Sequence, residues 1–164
     1  MNRSMLQHIS EEQLMTFEQS GVVCVRNVLD EEWIDRLRNA LEQIPGAYAD
    51  RNFMWTFNDI FKELAFDSPL GELCATFMKS STCGLLSDIA FVKQPHTTDV
   101  TPWHHDQPYY QTQGPHLCGI WLGLDPTDLN NGGLRWIRGS HKWGRIFEPD
   151  LFDGKVNRDI NAGR

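Results

Sequence analysis

Two segments of the C-terminal half decide the fold prediction: "HLCGIWLGLDP" (residues 116–126) and "GLRWIRGS" (133–140). Both are apolar runs of strand length, and an Asn-Gly-Gly turn sequence (131–133) joins them. A third run of the same kind, "GLLSDIAFVKQ", covers residues 84–94. These patterns predict an antiparallel, β-rich core in the form of a barrel or a sandwich.

The N-terminal part of the chain carries the signals of capped helices. Ser10 followed by Gln13 is a capping-box sequence, in which each side chain bonds the backbone N–H of the other residue. Gly21 predicts the end of this first helix. The β-branched run "VVCV" (22–25) then predicts a short buried strand.

Two further helices are predicted before the β-rich part. Asp30 predicts the cap of a helix over "EEWIDRLRNALEQI", which ends at Pro45-Gly46. The apolar residues of this helix form one stripe at helical spacing: Trp33, Ile34, Leu37, Leu41 and Ile44. Ser68-Pro69 predicts the start of another helix, which runs to about Met78.

The length of 164 residues fits a single domain, with a helical layer over residues 1–80 and the strands of the core over 81–164. No apolar run reaches the roughly 20 residues that cross a bilayer, so no membrane partner is expected. The net charge of −7 and the scattered basic residues argue against a nucleic-acid partner. The N-terminus lacks the apolar segment of a secretory signal, which favours a cytoplasmic protein.

The four cysteines, Cys24, Cys74, Cys83 and Cys118, are widely spaced and form no CxxC pair. In a reducing compartment they are interpreted as four buried thiols. A zinc site made of four cysteines stays open as an alternative, although no ligand spacing supports it.

The segment "PWHHDQPYY" (102–110) places two histidines, an aspartate and three aromatic residues within nine positions. On a strand, His104 and Asp106 project from one face while His105 projects from the other. One imidazole and one carboxylate are two of the three ligands of a facial-triad Fe(II) site. His105 is therefore interpreted as a structural or surface residue. Because an H-x-D spacing often arises by chance, the pair needs support from its surroundings.

That support comes from a resemblance covering about residues 10–150. The chain resembles the phytanoyl-CoA dioxygenase family of Fe(II)/2-oxoglutarate-dependent oxygenases, and the bacterial small-molecule members in particular. Four features carry the resemblance in order: the W-H-x-D box (103–106), an aromatic residue two or three places later, a tryptophan in the next strand, and an N-G turn that leads to G-S-H (139–141).

The resemblance implies a mainly β fold with N-terminal helices: a double-stranded β-helix of the jelly-roll, cupin-like kind. It implies that His104 and Asp106 bind Fe(II), and that Thr101 and Trp121 bind 2-oxoglutarate. Lys93, on the predicted strand before the box, is a further candidate for binding a carboxylate of 2-oxoglutarate, and a solvated strand end is its alternative interpretation. The implied reaction uses O₂, converts 2-oxoglutarate to succinate and hydroxylates an unactivated C–H bond of a small molecule. Related halogenases have a small residue at the position of Asp106, so the carboxylate favours hydroxylation.

Three side chains beside the pair have two interpretations. Trp103, Gln107 and Tyr109 are expected to line a substrate pocket, where aromatic residues offer apolar area with polar groups at the edge. Packing in the core or at its rim explains the aromatic residues equally well. No catalytic residue is predicted beyond the metal ligands.

The family also uses a distal histidine and a distal arginine, for which this chain has no candidate after the G-S-H segment. We therefore expect the first part of a dioxygenase, with a β-helix incomplete at its C-terminus. A C-terminal half or a second chain would then complete the barrel, and the chain by itself is expected to be weakly active or inactive.

Two other functions stay open at this level. The first is a non-catalytic binding module that keeps the β-helix shell, which the missing ligands favour. The second is a cupin-like metalloenzyme of another class, with Zn or Mn in place of iron. The substrate itself cannot be derived from the residues, because pockets of this kind are built largely from loops.

Overall fold

The computed structural model describes residues 9–44, 52–93, 95–96, 101–110, 112–114 and 116–149. In these residues four α-helices follow one another: α1 (Glu11–Ser20), α2 (Glu31–Glu42), α3 (Asp59–Phe66) and α4 (Leu70–Phe77). Three short 3₁₀ turns accompany them, at Met54–Thr56, Gln107–Tyr109 and Ser140–Lys142. No helix in this part of the chain is long and apolar enough to cross a membrane.

Helix α1 begins and ends where its sequence predicts. The Gln13 backbone N–H donates to the Ser10 hydroxyl at 3.1 Å, and the Ser10 N–H donates to the Gln13 side-chain oxygen at 2.9 Å. Gly21 ends the helix with a left-handed φ of +76°, and its N–H donates to the Phe17 carbonyl. The predicted capping box and glycine stop are confirmed.

Helices α2 and α4 also agree with the predictions. The Asp30 carboxylate accepts the Trp33 N–H at 2.9 Å and so caps α2. The predicted stop at Pro45-Gly46 lies outside the described residues. Helix α4 begins just after Ser68-Pro69, whose Ser68 hydroxyl accepts the Leu70 N–H at 3.3 Å.

Helix α3 was not predicted, although its start carries a recognisable signal. The Asn58 side-chain oxygen accepts the N–H groups of Ile60 and Phe61, which makes Asn58 the helix cap. The apolar residues Ile60, Phe61 and Leu64 follow at helical spacing and face the core.

The core lies where α2 and α3 meet the segments around residues 54 and 90. Leu37 on α2 has no exposed surface, and Met54 has almost none. The buried apolar cluster consists of Leu29, Leu37, Ala40, Met54, Phe61 and Ala90. Trp33, Ile34, Leu41 and Ile44 of the predicted α2 stripe pack against it, so the stripe is the buried face of that helix.

The prediction of a β-rich core, and with it of a double-stranded β-helix, is wrong for the described residues. None of the segments 22–25, 84–93, 116–126 and 133–140 forms a strand in this part of the chain, and no sheet is present there. An isolated antiparallel bridge joins Asn52 to Ile89. An apolar run forms a strand only when a second segment pairs with its backbone, and within the described residues no ladder provides that pairing.

The G-S-H segment packs against the end of α1. The Gly139 N–H donates to the Ser20 carbonyl at 2.8 Å, and the Arg138 guanidinium donates to the Ser20 hydroxyl at 3.2 Å. The His141 imidazole Nε2 lies 3.1 Å from the Glu18 carbonyl. Carbonyl groups at a helix C-terminus lack hydrogen-bond partners within the helix. The segment around residues 138–141 provides such partners to the end of α1 from about 120 residues further along the chain.

Candidate metal centre

His104 and Asp106 face each other across a short irregular segment. The His104 Nδ1–H donates to the Pro102 carbonyl at 2.8 Å, and its Nε2 lies 3.4 Å from the Asp106 Oδ1. A bond from Nδ1–H to a carbonyl is the usual arrangement in metal-binding histidines, because it leaves Nε2 without a proton. The two candidate ligand atoms, His104 Nε2 and Asp106 Oδ1, therefore lie close to each other.

The separation of this pair fits a shared metal ion. Two ligand atoms that are each about 2.1 Å from one metal lie about 3–4 Å apart, and the His104–Asp106 distance falls in this range. The Asp106 side chain is 62% exposed and that of His104 is 28% exposed, so the point between them is accessible. Within the residues that the structure describes, no third histidine, cysteine or carboxylate completes a metal-binding group.

His105 points elsewhere. Its Nε2 accepts the backbone N–H of Phe147 at 2.9 Å, and the two rings meet edge to face with centroids 5.7 Å apart. His105 thus packs against the segment near residue 147, in agreement with its interpretation as a structural residue.

Lys93 and Thr101 lie together. The Lys93 ammonium donates to the Thr101 hydroxyl at 2.9 Å, and both residues are exposed. The turn at Gly132 adjoins them, because a Cβ added there would lie 3.6 Å from the Lys93 Cδ. An ammonium and a hydroxyl at this spacing are suitable donors for one carboxylate.

The segment that carries Trp121 passes close to Asp106. A Cβ added at Gly119 would lie 3.7 Å from the Asp106 Oδ2, so the backbone approaches the carboxylate there. Two residues later the Trp121 indole covers Gly123, where an added Cβ would lie 3.3 Å from the ring. The indole remains 46% exposed.

Of the three predicted pocket residues, Tyr109 has a ring contact with the pair. The Tyr109 ring meets the His104 ring edge to face, with centroids 5.8 Å apart. Trp103 is 55% exposed, and the Arg135 guanidinium lies over its ring at 5.4 Å. Gln107 opens the 3₁₀ turn, and its carbonyl accepts the Tyr110 N–H.

One contact of this region was not predicted. Arg135 belongs to no recognised motif, and only the folded chain brings it over Trp103.

The interpretation of all four cysteines as buried thiols is wrong, since Cys24 and Cys83 are exposed and Cys74 and Cys118 are half-buried. Burial of a thiol depends on packing that its spacing in sequence does not encode.

Comparison with known proteins gives the family. The model of the phytanoyl-CoA dioxygenase (PhyH) family matches residues 17–159. The chain is 24% identical over 110 residues to the phytanoyl-CoA dioxygenase domain-containing protein 1 homolog of Caenorhabditis elegans. The aligned residues make up 66% of this chain and 33% of that protein. No solved structure matches the chain.

Two plant relatives give the same result. Phytanoyl-CoA dioxygenase 1 of Oryza sativa subsp. japonica is 28% identical over 85 residues, 52% of this chain and 30% of the relative. Phytanoyl-CoA dioxygenase of Arabidopsis thaliana is 24% identical over 113 residues, 69% and 35% respectively. The chain spans about one third of the length of these curated relatives. Since the family match covers most of its residues, the chain belongs to the phytanoyl-CoA dioxygenase (PhyH) family.

Proposed function

We propose that this chain is part of an Fe(II)- and 2-oxoglutarate-dependent dioxygenase that hydroxylates a C–H bond of a small molecule. The observation that carries the proposal is the close pair of His104 and Asp106, with His104 Nδ1 bonded to the Pro102 carbonyl and Nε2 3.4 Å from the Asp106 carboxylate. Membership of a family whose relatives are named dioxygenases supports the same chemistry.

Each residue has a role in the proposal. His104 and Asp106 hold Fe(II), which supplies the oxidation of the substrate together with 2-oxoglutarate and O₂. The Pro102 carbonyl keeps Nε2 available and fixes the ring orientation. Lys93 and Thr101, already joined to each other, bind a carboxylate of 2-oxoglutarate.

The aromatic side chains form the walls of the proposed site. Trp121 packs against 2-oxoglutarate from the segment that runs beside Asp106. Trp103, Gln107 and Tyr109 contact the substrate, and the edge-to-face contact between Tyr109 and His104 fixes one wall of the site. The substrate is a small molecule, and no nucleic acid or membrane takes part.

The third iron ligand is part of the proposal as well. We place it on another segment of the protein or on a second chain that docks beside Asp106. Two observations support this: the described residues contain no third ligand, and the relatives are about three times as long as the matched part.

The test is an anaerobic titration of the protein that contains this chain with Fe(II) and 2-oxoglutarate. The chelate of iron with 2-oxoglutarate gives a weak visible charge-transfer band, which we expect to be lost in His104→Ala and retained in His105→Ala. The second variant is the matched control, because His105 is the adjacent imidazole and contacts Phe147 instead. A band that is absent from the unmodified protein, or that survives in His104→Ala, contradicts the proposal.

A non-catalytic binding protein is the second candidate, because the described residues hold two ligands and no third. It predicts ligand binding that does not depend on iron, and no succinate from 2-oxoglutarate with any substrate. Measurement of succinate in the presence of Fe(II) and O₂, with Lys93→Met as the variant that weakens 2-oxoglutarate binding, separates the two functions.

A further inference from the structure

Arg135 reaches the segment that carries the candidate metal pair. Its guanidinium carbon lies over the Trp103 ring, 5.4 Å from the ring centre, and Trp103 directly precedes His104 in the chain. Arg135 and Trp103 are both exposed. No carboxylate of the described residues forms an ion pair with Arg135. The indole therefore holds the guanidinium through a contact that does not neutralise its charge.

The turn that precedes Arg135 lies beside the other cation of this region. A Cβ added at Gly132 would lie 3.6 Å from the Lys93 Cδ, and the Lys93 ammonium donates to the Thr101 hydroxyl at 2.9 Å. Lys93 and Arg135 thus each contact the segment 101–103, the first at Thr101 and the second at Trp103. In a protein with a net charge of −7, two cations at one short segment favour an anionic ligand there.

The proposed function uses Lys93 and leaves Arg135 without a role. 2-Oxoglutarate has two carboxylates, of which one chelates the iron together with the keto oxygen and the other binds Lys93 and Thr101 in that proposal. Neither carboxylate requires Arg135. The substrate is the remaining anion that the site could bind, and it is proposed to contact Trp103, the ring over which the Arg135 guanidinium lies.

The charge and the surroundings of Arg135 favour one class of substrate. A single guanidinium matches a single carboxylate, which it binds through two parallel N–H donors. A phosphate monoester carries about two negative charges at neutral pH and would require a second cation. Trp103 and Tyr109 are 55% and 40% exposed and offer apolar area beside the charge. These features together fit a monocarboxylate with an apolar body.

We propose that Arg135 determines the substrate specificity of the site by binding the carboxylate of a small molecule with an apolar body. The inference rests on the proposed function, which assigns Lys93 to 2-oxoglutarate and the substrate to Trp103. Trp103 is a positioning residue for the guanidinium. The bound carboxylate takes no part in the reaction, and it orients the remainder of the substrate relative to His104 and Asp106.

The experiment is a calorimetric titration of small carboxylates and their neutral analogues into the protein that contains this chain, under argon with Fe(II) and 2-oxoglutarate. The probes are benzoate and hexanoate, each compared with its primary amide, and phenyl phosphate. Without O₂ no turnover takes place, so the measured quantity is binding and not activity. We expect each carboxylate to bind at least about tenfold more tightly than its amide, through charge-assisted hydrogen bonds to Arg135.

Three variants make the result specific. Arg135→Met keeps an unbranched apolar side chain over Trp103 and removes the charge, so the preference for carboxylate over amide should be lost. Arg135→Lys keeps the charge without the planar fork and should retain part of the preference. Lys62→Met is the matched control, because it removes one exposed positive charge on helix α3 and should leave the preference unchanged.

The charge-transfer band of the iron chelate, recorded in the same samples, separates this inference from the proposed function. An unmodified protein without the band contradicts the proposed function, and the titrations then still decide whether Arg135 binds a carboxylate. Arg135→Met is expected to keep the band at the same concentration of 2-oxoglutarate. A band that requires more 2-oxoglutarate in this variant would assign Arg135 to the cosubstrate and overturn the inference.

Three results of the titrations also overturn it. The first is that benzoate and hexanoate do not bind, or bind no more tightly than their amides. The second is that phenyl phosphate binds more tightly than benzoate. The third is that Lys62→Met loses the preference as fully as Arg135→Met, which would assign the effect to overall charge. The comparison of probes in the unmodified protein and in Arg135→Lys decides the matter even if Arg135→Met does not fold.

Discussion

At the residue scale, His104 and His105 show how two adjacent, identical side chains come to point in different directions. Strand geometry predicted opposite faces for them, yet their segment is not a strand in the structure. The separation of directions nevertheless holds, because His104 is oriented by the Pro102 carbonyl and His105 by the N–H of Phe147. Strand geometry therefore predicted the different directions of the two rings for a reason that the structure replaces with two specific hydrogen bonds.

Gly21 is a residue whose replacement should be costly for two separable reasons. Its φ of +76° disfavours any side chain, and an added Cβ would lie 2.4 Å from the His141 Nδ1. We expect Gly21→Ala to lower the free energy of unfolding by more than the roughly 1–2 kcal/mol of a left-handed non-glycine residue. Urea unfolding followed by circular dichroism measures the change.

Gly144→Ala is the control for the backbone effect alone. Its φ is +63°, and an added Cβ would have nothing within 4 Å, so only the conformational cost applies. In a His141→Ala background the cost of Gly21→Ala should fall to that of Gly144→Ala, because the clash is gone. Equal costs for the two glycine variants in the unmodified chain would contradict the contact between Gly21 and His141.

The raised pKa of Asp88 predicts that the stability of the protein depends on pH. Burial raises the pKa of Asp88 above its ordinary value, although backbone N–H groups of Trp55 and Met54 favour the ionised form. The folded state then binds the proton more tightly than the unfolded state. The stabilising contribution of protonated Asp88 to the free energy of unfolding is therefore present at acid pH and is lost as the pH rises through the raised pKa.

Asp88→Asn tests this sign. The amide keeps an oxygen for the Trp55 N–H, which the Asp88 carboxylate now accepts at 3.1 Å, and it removes the charge. We expect the stability of the variant relative to the unmodified chain to increase as the pH rises from about 3.8 towards neutral. Urea titrations of both proteins at several pH values give this difference, and a difference that stays constant with pH contradicts the prediction.

At the scale of elements, the contact between α2 and α3 combines a buried apolar residue with an exposed ion pair. Leu37 has no exposed surface, whereas the Arg36–Glu63 pair beside it joins the two helices with both side chains more than a third exposed. Burial of apolar area contributes more than a solvated ion pair. The apolar residue should therefore dominate the stability of this contact.

Leu37→Ala is expected to lower the free energy of unfolding by about 3 kcal/mol, through lost apolar contact and the cavity that remains. Glu63→Gln is the matched comparison. It removes the ion pair and leaves the Arg36 guanidinium over the Trp33 ring at 4.8 Å, and it should cost less than about 1 kcal/mol. Urea unfolding ranks the two variants, and the reverse order would contradict this account of the contact.

The helices also show how far elements are predictable. The starts of α1, α2 and α4 follow from side chains that bond backbone groups two or three residues away. The short α3 has the same kind of cap in Asn58 and was missed because its apolar stripe is only two turns long. The segments 84–94 and 116–126 were predicted as strands from their apolar runs and the turn sequences near them. A strand also requires a partner segment, which such local patterns do not specify.

At the scale of the whole molecule, many large apolar side chains of the described residues are exposed to solvent. Exposed large side chains concentrate in the segments 85–92 and 117–137: Leu85, Leu86, Phe91, Val92, Leu117, Ile120, Trp121, Leu129, Leu134, Trp136 and Ile137. Exposed apolar side chains that cluster in this way favour association with another surface.

We expect the chain by itself to associate with concentration, and the double variant Ile120→Thr/Ile137→Thr to associate less. Sedimentation velocity over a range of concentrations measures this directly. Met15→Thr is the control, because Met15 is also exposed but lies on helix α1, outside these segments. A single sedimenting species at every concentration of the unmodified chain would contradict the prediction.

Sequence by itself determined the helix caps, the glycine stop of α1, the spacing of His104 and Asp106, and the membership of the family. These features depend on residues within a few positions of each other, or on a pattern that relatives share. Only the tertiary structure decided the irregular course of 116–126 and the packing of the G-S-H segment on α1. That packing depends on contacts between residues about 120 positions apart, whose energies no local pattern contains.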